Sequence, residues 1–363
     1  MPELTGHIVT PKGLINGTIV FSATVETINP VVEANELIIM PGMLDLHIHG
    51  GGGGDVMDGV PGFRSLARTH ACYGTTSFLA TTVTAEDEAI DGVLEAAAEV
   101  MSSRENLASR CLGVHLEGPY LSANKLGAQP PMTRNVNPEA VSRWFKTGVV
   151  KVMTYSPEQD LTSCLPGLAL QYGVRLQVGH SGCDYHEAKS LFQRGIGVTH
   201  LFNAMTGIHH RSPGVAQAAL LHADYSEIIC DGIHVVEPSF HLAARHIPNL
   251  YSVTDSTAAA GMKDGQYKLG VHDVYKSNGA VRLADGTLAG SAATAEKTVQ
   301  TLSAFGLHWD DIASMTATRP ANWIGLHEMG RIAAGCRSDF VVYRNRVLES
   351  VWIDGNSVFS VEG

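Results

Sequence analysis

Residues 175–200 read RLQVGHSGCDYHEAKSLFQRGIGVTH. A short apolar run ends in glycine and histidine, a stretch with apolar residues at helical spacing follows, and a second apolar run again ends in histidine. Strand, helix and strand in so few residues predict a parallel βαβ unit. The pattern continues outward in both directions. Strands are expected at 42–47, 75–80, 111–116, 149–154, 175–178, 197–200, 225–229 and 251–254, with helical stretches such as AEDEAIDGVLEAAAEVMSSR between them. Eight strands alternating with helices over residues 41–325 predict an α/β protein built on a (β/α)8 barrel of the TIM type, usually about 250 residues long. A doubly wound sheet is the alternative, weakened because no G-x-G-x-x-G follows the first strand.

The flanks read differently. HIVT, LINGTIVFSATVETI and ELIIM at the start, and the last forty residues, are short β segments with turn signals at Asn16-Gly17 and Asp354-Gly355. They predict a small β-sandwich domain assembled from both termini, residues 1–40 and 329–363, around a barrel at 41–328.

The 363 residues are 44% hydrophobic and 17% charged, which excludes a disordered chain or a coiled coil. With 25 Lys+Arg against 36 Asp+Glu, the net charge of -11 opposes polyphosphate backbones, so nucleic-acid binding is not expected. A small anionic ligand would need local basic residues. The six cysteines show no C-x-x-C spacing and are read as reduced thiols. MPELTGHIVTPKG lacks the layout of a secretory signal, and no apolar stretch approaches about 18 residues, so a cytoplasmic protein without a membrane segment is expected.

In a barrel, residues at the C-terminal ends of strands surround the active site. Here those residues are His47 and His49, Glu117, His180, His200 and Asp255. In DLHIHG, alternation puts His47 and His49 on one face, suited to holding one metal ion; the competing reading is a polar turn before Gly50–Gly54. Glu117 in GVHLEGPYL can ligate or bridge divalent ions, or be an ordinary capping or surface carboxylate. His180 and His200, on neighbouring strands, can meet over one ion; each alone could equally be a buried histidine bonded to backbone carbonyls. Asp255 in VTDSTAAAG is placed to accept a proton from water and return it to a leaving group, or to cap the next helix.

Taken together, PGMLDLHIHG, TTVT, GVHLEGPYLSANKLGAQPP, VGHS, THLFNAMTGIHHRSPG, DGIHV, VTDSTAAAGM and GTLAGS occur in an order that resembles the N-acetylglucosamine-6-phosphate deacetylases of the amidohydrolase superfamily. The resemblance implies that Glu117, His180 and His200 hold a principal divalent metal ion, that His47 and His49 permit a second, and that Asp255 is the catalytic acid and base. Zinc is the first expectation for the metal, with Fe, Mn, Co or Ni also suited to these donors. It further implies that Asn203, Ala204, Arg211 and His234 take the sugar phosphate and ring hydroxyls, that Ala128, Leu288, Ala289 and Gly290 line the site, and that the enzyme is a homodimer with part of the phosphate site supplied by the neighbouring subunit. One residue departs from the pattern: Gln129 stands in KLGAQPP where the family usually has a histidine that contacts substrate. Glutamine can donate to a carbonyl but cannot carry a proton. The implied reaction is hydrolysis of the acetamide of an amino-sugar phosphate. The galactosamine epimer, another amidohydrolase chemistry, or a binding protein on the same scaffold are the alternatives. Dihydroorotase-like or dipeptidase-like chemistry is disfavoured because no strand-end lysine suited to carbamylation follows the third or fourth strand.

Overall fold

A computed structural model of the chain describes residues 1–361. Eight parallel strands form the centre: Met43–Ile48, Thr75–Thr81, Arg110–Glu117, Val150–Tyr155, Arg175–Val178, Gly197–Val198, Tyr225–Ile229 and Asn249–Val253, each paired with the next. Between the first and eighth the barrel is nearly closed, and the join is made at the rim. There Asp255 N–H donates to His47 O at 2.9 Å and His49 N–H to Ser256 O at 2.8 Å. Lower down, the buried Asp45 carboxylate accepts from Thr254 N at 3.2 Å and from the Thr254 hydroxyl. The join therefore binds His47 to the candidate acid, and His49 to the residue after it, through main-chain bonds.

Helices alternate with these strands and cover the barrel because each carries an apolar stripe. In the helix Asp87–Ser102, Ile90, Val93, Leu94, Ala97 and Val100 are buried at helical spacing, and the acidic side chains face outward. Helix Pro138–Lys146 begins where the Asn137 side chain accepts from Glu139 N and Ala140 N, and Tyr185–Phe192 begins where Asp184 does the same for His186 N and Glu187 N. No described helix is long and apolar enough to cross a membrane.

The terminal segments pair as expected, in a single mostly antiparallel sheet of seven strands. Its order is Asn356–Ser360, Val347–Ile353, Phe340–Arg344, Leu37–Pro41, Glu3–Thr10, Gly13–Phe21 and Val25–Pro30. Ile8, Ile19, Phe21, Ile39, Phe340 and Val342 form its apolar cluster, with Phe21 edge-on to Phe340 and Trp352. Arg110, from the third barrel strand, reaches Asp339 at 2.9 Å and Asp354 at 2.6 Å in this unit.

One element had no counterpart in the sequence reading. A four-stranded antiparallel sheet, Gly265–Leu269, His272–Ser277, Ala280–Arg282 and Leu288–Ser291, is inserted between the eighth strand and the helix Ala295–Ala304. Its last strand pairs at Ser291 with Ser256, which brings residues 288–290 over the barrel mouth.

Candidate active site

The chain leaves three of the barrel strands through left-handed backbone: φ is +49° at His180, +28° at His200 and +52° at Asp255. Non-glycine residues rarely adopt this conformation, which costs about 1–3 kcal/mol where the surroundings enforce it. All three carry the candidate chemistry. The strand-end residues converge as the barrel geometry requires, and all are buried.

Glu117 is the centre of the cluster, with its two oxygens facing different partners. Oε1 lies 3.1 Å from His180 Nε2 and 2.9 Å from His200 Nε2, and those two nitrogens are 3.0 Å apart. Oε2 faces His47 Nε2 at 3.5 Å and His49 Nε2 at 3.4 Å. Asp255 Oδ1 stands across from the same pair, 3.1 Å from His49 Nε2 and 3.5 Å from His47 Nε2. Two metal-sized donor groups result, Glu117–His180–His200 and His47–His49–Asp255, each with its ligand atoms within 4.8 Å of one another. Burial opposes the charge of both carboxylates, but the histidines outweigh it. His47 and His180 hold Glu117 well below its usual value, and the His49 hydrogen bond with the charges of His47 and His49 brings Asp255 down to about 2.

The outward nitrogens are anchored by backbone acceptors. His180 Nδ1 meets Lys125 O at 2.8 Å, and His49 Nδ1 meets Thr81 O at 3.0 Å, so each ring presents Nε2 to the cluster. Gln129 is also fixed: Thr84 N–H donates to its Oε1 at 2.7 Å, which turns Nε2 toward Glu117 Oε2 at 2.5 Å. The residue that replaces the expected histidine is thus an oriented donor.

Above the cluster is a cavity of about 220 Å³. Of the residues assigned to substrate by resemblance, Ala128, Gln129, Asn203, Ala204, His234, Leu288 and Gly290 line it. Ala289 does not, since alternation turns it into the apolar layer beneath the inserted sheet. Arg211 is exposed on its loop and does not line the cavity, nor does any other arginine or lysine among the described residues.

Two site features escaped the sequence reading. Asp231 accepts from His234 Nδ1 at 2.7 Å and from the backbone N–H groups of Ile233 and His234, which holds the imidazole toward the cavity. The D-x-x-H spacing in DGIHV was the available signal. Glu227, wholly buried on the seventh strand, touches His47. Nothing in YSEII marks it, because a carboxylate within an apolar strand looks like an exposed edge position.

The amidohydrolase family model matches residues 38–358. The chain is 35% identical over 317 residues to the N-acetylglucosamine-6-phosphate deacetylase of Bacillus subtilis, covering 84% of this chain and 80% of that protein. It is 31% identical to the N-acetylgalactosamine-6-phosphate deacetylase of Escherichia coli O157:H7, covering 90% and 89%. The structure of a mutant N-acetyl-D-glucosamine-6-phosphate deacetylase from Mycobacterium smegmatis, in complex with N-acetyl-D-glucosamine-6-phosphate, superposes with a TM-score of 0.90 at 30% identity, over 99% of each chain. With the same fold, 35% identity to a relative over most of both chains and a family model spanning nearly its whole length, the chain belongs to the amidohydrolase family, in the branch of the N-acetylglucosamine-6-phosphate deacetylases.

Proposed function

We propose that this chain hydrolyses the acetamide of N-acetylglucosamine 6-phosphate to glucosamine 6-phosphate and acetate, as a metal-dependent cytoplasmic enzyme of amino-sugar breakdown. The observation that carries the reading is the convergence of Glu117, His180 and His200 with Asp255 beneath one small cavity, in a chain whose relatives bear that activity.

Imidazole and carboxylate donors converging within 4.8 Å fit a divalent ion, zinc first, with Fe, Mn, Co or Ni also suited. Glu117, His180 and His200 would hold the principal ion, and His47 and His49 with Asp255 a second. A divalent ion supplies Lewis acidity here, polarising the amide carbonyl and lowering the pKa of water toward about 7. Asp255 accepts the proton of the attacking water on its carboxylate. It then returns that proton to the nitrogen as the C–N bond breaks, so that the amine can leave. Gln129 offers its amide N–H to the carbonyl oxygen, where negative charge develops.

Asn203 spends its amide N–H groups on the His200 and Leu201 carbonyls at 3.2 Å, leaving Oδ1 to accept from a ring hydroxyl. His234, backed by Asp231, donates to the phosphate. Burial opposes its protonation, but the Asp231 hydrogen bond raises the His234 pKa, which favours an anion there. The remaining positive charge is assigned to Arg211 of a second subunit in a homodimer. This is supported by the absence of lysine and arginine from the cavity lining among the described residues.

The test is acetate release by metal-quantified protein, with N-acetylglucosamine 6-phosphate and its galactosamine epimer run side by side. Faster turnover of the first is expected. The second reading, the galactosamine epimer as substrate, is favoured by the Escherichia coli relative and by the change at Gln129; it predicts the reverse preference.

A further inference from the structure

Glu227 is wholly buried on the strand Tyr225–Ile229, in the barrel interior beneath the candidate ligands. A buried carboxylate is costly unless its oxygens are satisfied, and both of these are. Oε2 accepts from His47 Nδ1 at 2.9 Å and from the His200 backbone N–H at 3.2 Å. Oε1 accepts from the Gln177 amide at 3.0 Å, the amide being oriented by the rule that a carboxylate only accepts. The same rule places the proton of His47 on Nδ1. Nε2 is thereby the nitrogen left facing the space shared with His49 Nε2, 3.3 Å away, and Asp255 Oδ1, and a divalent ion there would take it in place of a proton.

His115 lies close enough to His47 and Glu227 for the three to suggest another ion site. Its nitrogens are both engaged, Nδ1 with Leu46 O at 2.8 Å and Nε2 with Thr154 Oγ1 at 2.7 Å. His47 Nδ1 is likewise taken by Glu227. This trio is a hydrogen-bonded support.

We propose that Glu227 is a positioning residue for a divalent ion at His47, His49 and Asp255, setting the tautomer and ring orientation of His47 from inside the barrel. The proposal rests on the metal-dependent reading above. Within the candidate ligand set, Glu227 orients one ring, that of His47, and meets His200 only at its backbone N–H, while the His200 ring faces Glu117 and His180, so losing Glu227 should weaken the second ion far more than the one at Glu117, His180 and His200.

The experiment titrates chelator-stripped wild type and Glu227→Gln with Co²⁺ alone, by calorimetry and by the visible absorption of the bound ion, after thermal unfolding has shown both to be folded. Wild type should bind two ions; the variant should keep the first affinity and lose about 10–100-fold in the second. Glu227→Asp, which keeps the charge but withdraws it from His47, should also weaken the second ion and serves if the glutamine variant does not fold. Equal second-site affinities in wild type and variants would overturn the proposal, as would a wild type that takes up only one ion. Failure of the deacetylase reading looks different: two ions bind, and no acetate is released from either sugar.

Discussion

At the scale of single residues, Asp255 concentrates the proposed chemistry, because it alone among the cluster is assigned proton transfer. Asp255→Asn keeps the size and one oxygen acceptor but cannot take a proton. It should lower kcat by about 10²–10⁴-fold, the usual contribution of general acid–base catalysis, while the ion at Glu117, His180 and His200 stays bound. Turnover assays with metal analysis of the same sample check both halves. Stability depends on other histidines. His70 and His115 are wholly buried, and burial lowers each to about 4 from the ordinary 6.5. A folded-state pKa below the unfolded one gives stability that is fully present above 6.5 and lost as pH falls through about 4. Each contributes about 3 kcal/mol at most over that window. Metal-free protein should therefore lose the contribution of these two histidines between pH 6.5 and 4, partly offset by Asp45, which burial raises to about 7 and which regains stability as pH falls through that value. His70→Gln, which keeps a donor for Gly50 O but does not titrate, should flatten part of that loss; an unchanged slope in urea titrations would remove His70 as a cause.

At the scale of elements, the inserted sheet sets the reach of the acid. Gly290, on its last strand, has φ +60°, and a Cβ there would stand 2.9 Å from Asp255 O and 2.7 Å from Thr257 Cγ2. Only glycine tolerates both the conformation and the approach. Gly290→Ala should cost about 1–3 kcal/mol in chemical denaturation and lower kcat more than it raises KM, since it displaces Asp255 while leaving the opposite cavity wall intact. The alternation of apolar runs and helical stripes makes the barrel legible, and a barrel says where its chemistry sits; His47, Glu117, His180, His200 and Asp255 are legible as strand ends from the apolar runs that precede them. The inserted sheet was not legible. Its strands, GQYKL and HDVYKS, are polar and largely exposed, so they lack the apolar run that marks a barrel strand. Glu227 and Thr84 were hidden for another reason: their roles come from partners far away in sequence, at His47 and Gln129, and no local pattern records such pairs.

At the scale of the whole molecule, charge is unbalanced within one chain. The protein carries a net charge of -11, its candidate cavity is lined by two carboxylates, and the expected ligand is a phosphate. Among the described residues, His234 is the only basic one on the lining besides the candidate metal ligands, while Arg211 is exposed on the loop that follows Asn203 and Ala204. An arginine held there can serve a neighbouring cavity, and its planar fork can grip two phosphate oxygens at once. Arg211→Ala should then raise KM for the phosphorylated sugar by about 10–100-fold, the loss expected for hydrogen bonds to a charged group, and change kcat much less. Mixing variants separates the two possible routes. Neither Arg211→Ala at low substrate nor Asp255→Asn should turn over well alone, but a dimer containing one of each has one cavity with an intact Asp255 that receives Arg211 from its partner. Random exchange of subunits in a closed two-fold dimer would restore about a quarter of wild-type activity. Recovery after co-refolding supports an arginine acting across the interface, whereas a mixture no more active than its components places Arg211 on its own cavity or outside the reaction.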